Sequence, residues 1–167
     1  MATITLKGTE FSTNGELPAV GTQAPDFKLT NAELGDKTLA DFKGKKKLLN
    51  IVPSLDTDVC ATSTRKFNEA ANDYANAVFL VVSADLPFAQ ARFCKDESIS
   101  NVITLSEMRD RNFAKSYGVL IQDGPLAGIT ARAIVVLDEN NAVIYNQLVS
   151  EVTDEPDYDK ALAALSS

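Results

Sequence analysis

Two cysteines, Cys60 and Cys94, are the residues in this chain whose side chains are best suited to covalent chemistry. The 167 residues include no histidine. This excludes Ser-His-Asp and Cys-His nucleophile pairs and the histidine zinc motifs. Two cysteines without histidine also exclude a Cys/His zinc site, and no metal is expected. Any catalysis must therefore use cysteine, carboxylate, lysine, arginine, tyrosine or hydroxyl groups.

Composition and charge limit the classes of binding partner and the cellular compartment that we expect for this chain. The net charge of -7 argues against a nucleic-acid partner, because phosphate binding needs clustered basic residues. No run approaches the roughly 20 apolar residues of a membrane helix, and no signal peptide is visible after Met1. The expected compartment is therefore the cytoplasm, where thiols are kept reduced. There the two cysteines would be free, catalytic or redox-sensing.

The elements that must position the cysteines alternate between strands and helices. Apolar runs predict strands at 3–7, 26–30, 47–52, 77–84, 102–105, 133–137 and 142–149. Periodic stretches predict helices at 57–75, from Pro87 through Cys94, at 111–117 and at 157–165. This order predicts a single α/β domain over residues 1–167, with a thioredoxin-like mixed sheet flanked by helices and an N-terminal β-hairpin extension.

Local signals give three smaller expectations. Asn14-Gly15 predicts a turn in the N-terminal part. The basic run 45–47 is interpreted as a solvated strand entrance. The mixed charges of 107–111 are interpreted as a solvated face.

Cys60 falls in the first turn of the first predicted helix. Unpaired backbone N–H groups and the helix dipole favour an anion there, and such surroundings convert a thiol into a nucleophilic thiolate. Asp56 and Asp58 oppose this because nearby negative charge disfavours ionisation. Their carboxylates must point away from the sulfur or act as helix caps.

The sequence from Pro53 to Cys60 fits P-x-x-x-T-x-x-C and resembles the active-site motif of peroxiredoxins. Together with 53–69, 86–94 and 126–140, it is similar to the bacterial thiol peroxidase subfamily, the atypical two-cysteine peroxiredoxins. The similarity covers essentially the whole chain. It implies a thioredoxin-like fold and an enzyme that reduces hydrogen peroxide and organic hydroperoxides.

The resemblance also implies a role for each motif residue. Cys60 would be the peroxidatic cysteine, and the Thr57 hydroxyl would hydrogen-bond the thiolate and the peroxide; a plain helix cap is the equal alternative. Pro53, otherwise a strand terminator, would shield the sulfur from water. Arg132 would face Cys60 and polarise the peroxide, although the residues alone favour an exposed arginine at a strand end.

Cys94 taken alone is most simply a small buried side chain on the second helix. The resemblance makes it the resolving cysteine, which would close a Cys60–Cys94 disulfide that thioredoxin reopens. Closing that bond requires Cα atoms within about 7 Å, so one or both helices must unwind locally. Residues 95–100 lack the glycine expected after this cysteine. The family further implies a homodimer and no flavin, haem or other cofactor.

Two alternatives remain open at this point. The chain could be a thioredoxin-fold redox sensor, which would react with peroxide but recycle slowly with thioredoxin. It could instead carry a structural disulfide, worth roughly 3–4 kcal/mol of unfolding free energy, which would not react with peroxide at all.

Overall fold

The computed structural model describes residues 1–166 and, within them, forms nine strands and four α-helices. The strands are β1 (Thr3–Leu6), β2 (Thr9–Ser12), β3 (Leu29–Thr30), β4 (Asp36–Lys37), β5 (Lys46–Ile51), β6 (Ala77–Ser83), β7 (Ile103–Ser106), β8 (Ala133–Leu137) and β9 (Val143–Leu148). The helices are α1 (Asp58–Ala70), α2 (Pro87–Asp96), α3 (Asn112–Ser116) and α4 (Tyr158–Leu165), with 3₁₀ turns at Leu39–Phe42 and Ala71–Asp73. Ser167, the last residue of the expected domain, lies outside the described residues.

Seven strands form one mixed sheet in the order β4-β3-β7-β6-β5-β8-β9. β5, β6 and β7 are parallel to one another, and β8 pairs antiparallel with both β5 and β9. Strands buried on both faces explain the continuous apolar runs of the sequence. The thioredoxin-like mixed sheet with flanking helices is thereby confirmed.

Successive residues of β5 point to opposite faces of the sheet and enter two different cores. Leu48 packs with Phe67 of α1 and Leu165 of α4 on one face. Leu49 packs on the other face in a cluster that includes Phe113 of α3. Helices therefore cover both faces of the sheet. The chain leaves the carboxyl end of β5 and continues through residues 52–57 into α1, which carries Cys60.

The N-terminal extension is a separate hairpin of β1 and β2, paired from Thr3↔Ser12 to Leu6↔Thr9. Its tight turn is Lys7–Gly8, with φ of 49° and 86°, whereas the sequence pointed to Asn14-Gly15. The hairpin is attached to the segment after β9. The Thr5 N–H donates to the Ser150 carbonyl at 2.7 Å, and the Val152 N–H donates to the Thr5 carbonyl at 2.8 Å.

Only the end of the strand expected at 26–30 forms, as β3. The Asp26 carboxylate instead accepts the backbone N–H groups of Phe27 at 2.8 Å and Leu39 at 3.1 Å. These bonds fold the backbone locally and keep its first residues out of the sheet.

Two charge interpretations from the sequence are wrong in part: Lys45, Arg109, Asp110 and Arg111 are exposed as expected, but Lys46, Lys47 and Glu107 are not. Lys46 and Lys47 are buried within β5, and the Lys47 ammonium donates to Asn141 Oδ1 at 2.6 Å. Burial lowers the pKa of Lys47. Glu107 is also buried, and its Oε2 accepts the Ala114 N–H at 3.1 Å. The charge of each side chain was visible in the sequence, but its position inside the sheet or under α3 was not.

Within residues 1–166, no helix is long and apolar enough to cross a membrane.

Candidate active site

Cys60 lies in the first turn of α1, immediately beyond the carboxyl end of β5. The first helical hydrogen bond runs from the Ala61 N–H to the Thr57 carbonyl at 3.0 Å. The N–H groups of Asp58, Val59 and Cys60 therefore precede the helical ladder, where partial positive charge favours an anion. The sulfur is fully buried against Val52, Leu55 and Val81.

The two acidic residues beside this turn do not enter the buried site. Asp56 and Asp58 are both exposed. Water screens their charges, so they oppose thiolate formation less than buried carboxylates would. Their exposure is consistent with carboxylates that point away from the sulfur.

Arg132 contacts the sulfur directly from the residue before β8. One guanidinium nitrogen donates to Cys60 Sγ at 3.0 Å, and Nε donates to the Val152 carbonyl at 3.0 Å. The side chain is 1% exposed, and Cys60 is 0% exposed. Arg132 is therefore not the exposed strand-end arginine that its sequence position alone favoured. The sulfur therefore accepts a hydrogen bond from a buried, positively charged group.

Thr57 and Pro53 lie on the segment that connects β5 to α1. Thr57 occupies the N-cap position of α1, but its hydroxyl makes no side-chain cap bond and donates instead to the Ser54 carbonyl at 3.0 Å. Thr57 is exposed, and Pro53 is buried one residue beyond Val52. Their roles toward the sulfur stay predictions.

Cys94 lies on α2, apart from the cluster around Cys60. Both cysteines are free thiols, and Cys94 is half-buried. It lines a groove of about 530 Å³ with Ala91, Ile99 and Ile103, while its neighbour Phe93 packs against the Cys60 cluster. Burial raises the pKa of the Cys94 thiol. No disulfide joins the two thiols in this structure, so the Cys60–Cys94 bond and the rearrangement that it would need stay predictions.

Sequence reasoning missed a polar cluster behind Arg132. The Tyr158 hydroxyl donates to Glu155 Oε1 at 2.8 Å, and the Lys66 ammonium lies 3.3 Å from the same oxygen. Burial and the Glu155 hydrogen bond raise the pKa of Tyr158, whereas the charge of Arg132 opposes that rise. Tyr158 also packs edge-on against Phe67, with ring centroids 5.2 Å apart. No motif marked its polar contacts.

Sequence reasoning also missed Asp85, which bonds to the active-site loop. Its carboxylate accepts the Ser54 hydroxyl and the Leu55 N–H, each at 2.8 Å. A short polar residue after a strand is common in any fold, so no signal in the sequence marked it.

Comparison with known proteins agrees with this geometry. The redoxin family model matches residues 19–162. A thiol peroxidase of Corynebacterium glutamicum is 51% identical over 166 residues, which is 99% of this chain and 100% of that protein. The crystal structure of a peroxiredoxin-like protein from Aquifex aeolicus superposes with a TM-score of 0.93 at 42% identity, covering 99% of this chain and 96% of that one. A thiol peroxidase from Chromobacterium violaceum gives a TM-score of 0.92 at 27% identity, with the same coverage of the two chains.

The fold and the buried cysteine–arginine pair define a redoxin, a thioredoxin-like protein with a reactive thiol. Within the redoxins, this chain belongs to the peroxiredoxins of the thiol peroxidase type.

Proposed function

We propose that the chain is a thiol peroxidase in which Cys60 reduces hydroperoxides and Cys94 resolves the oxidised enzyme. The observation that carries this proposal is the 3.0 Å contact between the Arg132 guanidinium and Cys60 Sγ. Both groups are buried, and the pair lies at the start of α1, where backbone N–H groups also favour an anion. The names of the relatives favour a peroxidase over the redox sensor.

In the first step, the Cys60 thiolate attacks the terminal oxygen of the hydroperoxide, ROOH. The O–O bond breaks, Cys60 becomes the sulfenic acid, and the departing RO⁻ takes a proton to leave as ROH or water. Arg132 would stabilise the charge that moves from the sulfur to the departing oxygen. The Thr57 oxygen would orient the peroxide, and Pro53 would keep water from the sulfur.

In the second step, the Cys94 thiol displaces the hydroxyl of the Cys60 sulfenic acid. The S–S bond forms and one water leaves, which balances the two-electron oxidation of the thiols. A thioredoxin-type dithiol then reopens the disulfide by thiol exchange. The cycle needs a reducing compartment, which supports a cytoplasmic location. It uses no metal or organic cofactor.

Hydrogen peroxide and organic hydroperoxides are the proposed substrates. The residues that pack around the sulfur are apolar: Val52, Leu55, Val81, Phe93 and Val102. Such a lining suits the alkyl group of an organic hydroperoxide.

We further propose one domain over residues 1–167 and a homodimer. One core cluster includes residues from Ile4 to Val152, which supports a single folding unit. Leu86 and Phe88 are 53% and 65% exposed at the start of α2. Apolar side chains this exposed are typical of a protein interface, and a second copy of the chain would cover them beside the active site.

The test is peroxide consumption coupled to thioredoxin, for wild type, Cys60→Ser and Cys94→Ser. Wild type should turn over with hydrogen peroxide and with cumene hydroperoxide. Cys60→Ser should be inactive, and Cys94→Ser should consume one equivalent and stop as the sulfenic acid. Full activity of Cys60→Ser, or a wild-type rate no faster than that of free cysteine, would overturn the proposal.

A further inference from the structure

Asp85 lies between the two segments that carry the cysteines, two residues after β6 and two before α2. Its Oδ1 accepts the Ser54 hydroxyl at 2.8 Å, while its Oδ2 accepts the Leu55 N–H at 2.8 Å and the Ser83 hydroxyl at 2.7 Å. Hydrogen bonds to an ionised acceptor are about twice as strong as neutral ones. One carboxylate therefore fixes both the loop before Cys60 and the end of β6.

On the loop side, the bonds of Asp85 determine where Thr57 lies. Ser54 Oγ accepts the Asp56 N–H at 3.1 Å, and the Ser54 carbonyl accepts the Thr57 hydroxyl at 3.0 Å. Thr57 is the residue from which α1 begins. Displacement of Ser54 would therefore displace the N-terminus of α1 and, with it, Cys60.

On the helix side, the bonds continue from Asp85 through Ser83 to α2. Ser83 Oγ accepts the Gln90 side-chain amide at 3.0 Å, and the same amide nitrogen donates to the Leu105 carbonyl at 3.0 Å. Gln90 is 0% exposed and stands one helical turn before Cys94, on the same side of α2. The contacts of Asp85 thus reach the helix that presents the second thiol.

We propose that Asp85 is a positioning residue that holds both cysteine segments in their folded form and couples their release when the disulfide closes. This inference rests on the proposed function. Condensation of the Cys60 sulfenic acid with the Cys94 thiol needs Cα atoms within about 7 Å. Cys60 is fully buried and Cys94 lines a different groove, so at least one of the two segments must move. Asp85 is bonded directly to the segment before Cys60 and reaches α2 through Ser83 and Gln90, so weakening its contacts should loosen both.

Asp85→Asn should affect the two chemical steps in opposite directions. The amide keeps the size of the side chain but loses the charge and one acceptor oxygen. We expect the first step to slow several-fold, because the loop is held less firmly. Disulfide formation should become about tenfold faster, since the loss of one hydrogen bond to a charged acceptor shifts a local opening equilibrium by about that factor. A residue that only stabilised the fold would not accelerate either step.

Faster resolution should also protect the sulfur from overoxidation. A second hydroperoxide converts the sulfenic acid to the sulfinic acid and leaves as ROH, in competition with Cys94. At equal peroxide concentration, Asp85→Asn should accumulate about tenfold less sulfinic acid per turnover than wild type.

The experiment combines rapid quenching with mass spectrometry after one equivalent of hydrogen peroxide, and amide hydrogen exchange of the reduced protein. Exchange does not depend on peroxidase activity, so it tests Asp85 even if the wild type fails to reduce peroxide. Asp138→Asn is the matched control. The Asp138 carboxylate accepts two backbone N–H groups at 2.9 Å, from Asn140 and Ala142, at the end of β8 remote from Arg132.

Faster exchange in both 54–60 and 87–94, together with faster disulfide formation, is the expected result for Asp85→Asn. Asp138→Asn should leave both unchanged. The inference is overturned if exchange rises in only one of the two segments, or if the disulfide forms no faster than in wild type. Should Asp85→Asn fail to fold, Ser54→Ala is the second variant, because it removes the hydroxyl bond on the loop side. This variant should also form the disulfide faster than wild type. An unchanged rate of disulfide formation would equally overturn the inference.

Discussion

Replacing Arg132 with glutamine tests the proposed site most directly, because it keeps a planar hydrogen-bonding group and removes the charge. At the observed 3.0 Å, two unit charges attract by about 5 kcal/mol at an effective dielectric constant near 20. Dehydration of the buried thiolate offsets part of that attraction, and a hydrogen bond to a charged group has a net value of roughly 1.5–3 kcal/mol. We expect Arg132→Gln to react with hydrogen peroxide about 10²-fold more slowly than wild type at pH 7.

The assay must follow the sulfur chemistry itself, because the sequence contains no tryptophan to serve as a fluorescent reporter. Rapid quenching with a thiol-trapping reagent and mass spectrometry counts reduced, sulfenic and disulfide forms at each time. Repeating the series at higher pH separates two contributions of the arginine. A rate that recovers fully would mean that it only favours the thiolate, whereas a residual deficit would mean that it also stabilises the transition state.

Arg109→Gln is the matched control. Arg109 also makes a contact of 3.0 Å, between its Nε and Asp36 Oδ1, but both side chains are partly exposed at the β4 edge of the sheet. An exposed ion pair contributes at most about 1 kcal/mol to stability, so this variant should react at the wild-type rate. If Arg132→Gln, correctly folded by circular dichroism, reacts within threefold of wild type, the assignment of the guanidinium is refuted.

Three further predictions concern stability, measured as the free energy of unfolding in urea. Burial raises the pKa of Glu107 from 4.5 to about 7, so the folded state binds this proton more tightly than the unfolded chain does. The Glu107 contribution to the free energy of unfolding should therefore fall by up to about 3 kcal/mol as the pH rises from 4.5 to 7. Glu107→Gln should remove this fall. Gly118→Ala should cost at least about 2 kcal/mol, because its φ is +70° and a Cβ would lie 2.1 Å from the Glu16 carbonyl oxygen. Lys47→Glu should cost at least about 3 kcal/mol, because it buries an unpaired carboxylate in β5.

Each stability prediction has a control of the same chemistry at an open position. Glu10 is exposed, and its change to glutamine should leave the pH dependence intact. Gly44 has a φ of +82° with nothing within 4 Å, so alanine there should cost only the backbone strain. Lys45 is exposed and should accept glutamate within about 0.5 kcal/mol. Equal losses in a pair would show that burial or steric contact is not the cause.

The sequence was informative about this fold wherever apolar periodicity determined an element. The run ending at Ile51 and β8 were predictable because strands buried on both faces are continuously apolar. The half-buried β9 was predictable because a short connection follows β8, as in a hairpin. The position of the turn between β1 and β2 was not predictable. This turn uses Lys7 with a φ of 49°, a conformation that lysine rarely adopts. β4 has only two residues, too few to show a period.

The candidate site was predictable to the extent that it follows a motif. The spacing from Pro53 to Cys60 indicated the cysteine and the threonine, whereas Arg132 was indicated only by the family resemblance. Asp85 could not be found in this way, because its importance depends on contacts between segments that are distant in sequence. The burial of Lys47 was missed for a related reason: its partner, Asn141, lies in a turn that only the folded sheet brings near.

The N-terminal hairpin supports the position of Arg132 from outside the part of the chain that matches the redoxin family. Thr5 bonds to Ser150 and Val152, and the Val152 carbonyl holds the Nε of Arg132. The redoxin match begins only at residue 19, beyond the hairpin. The match therefore includes both Arg132 and the Val152 carbonyl that holds it, and the hairpin supports Val152 from outside the match. Removing the first dozen residues should thus loosen the guanidinium contact with Cys60 as well as remove a hairpin.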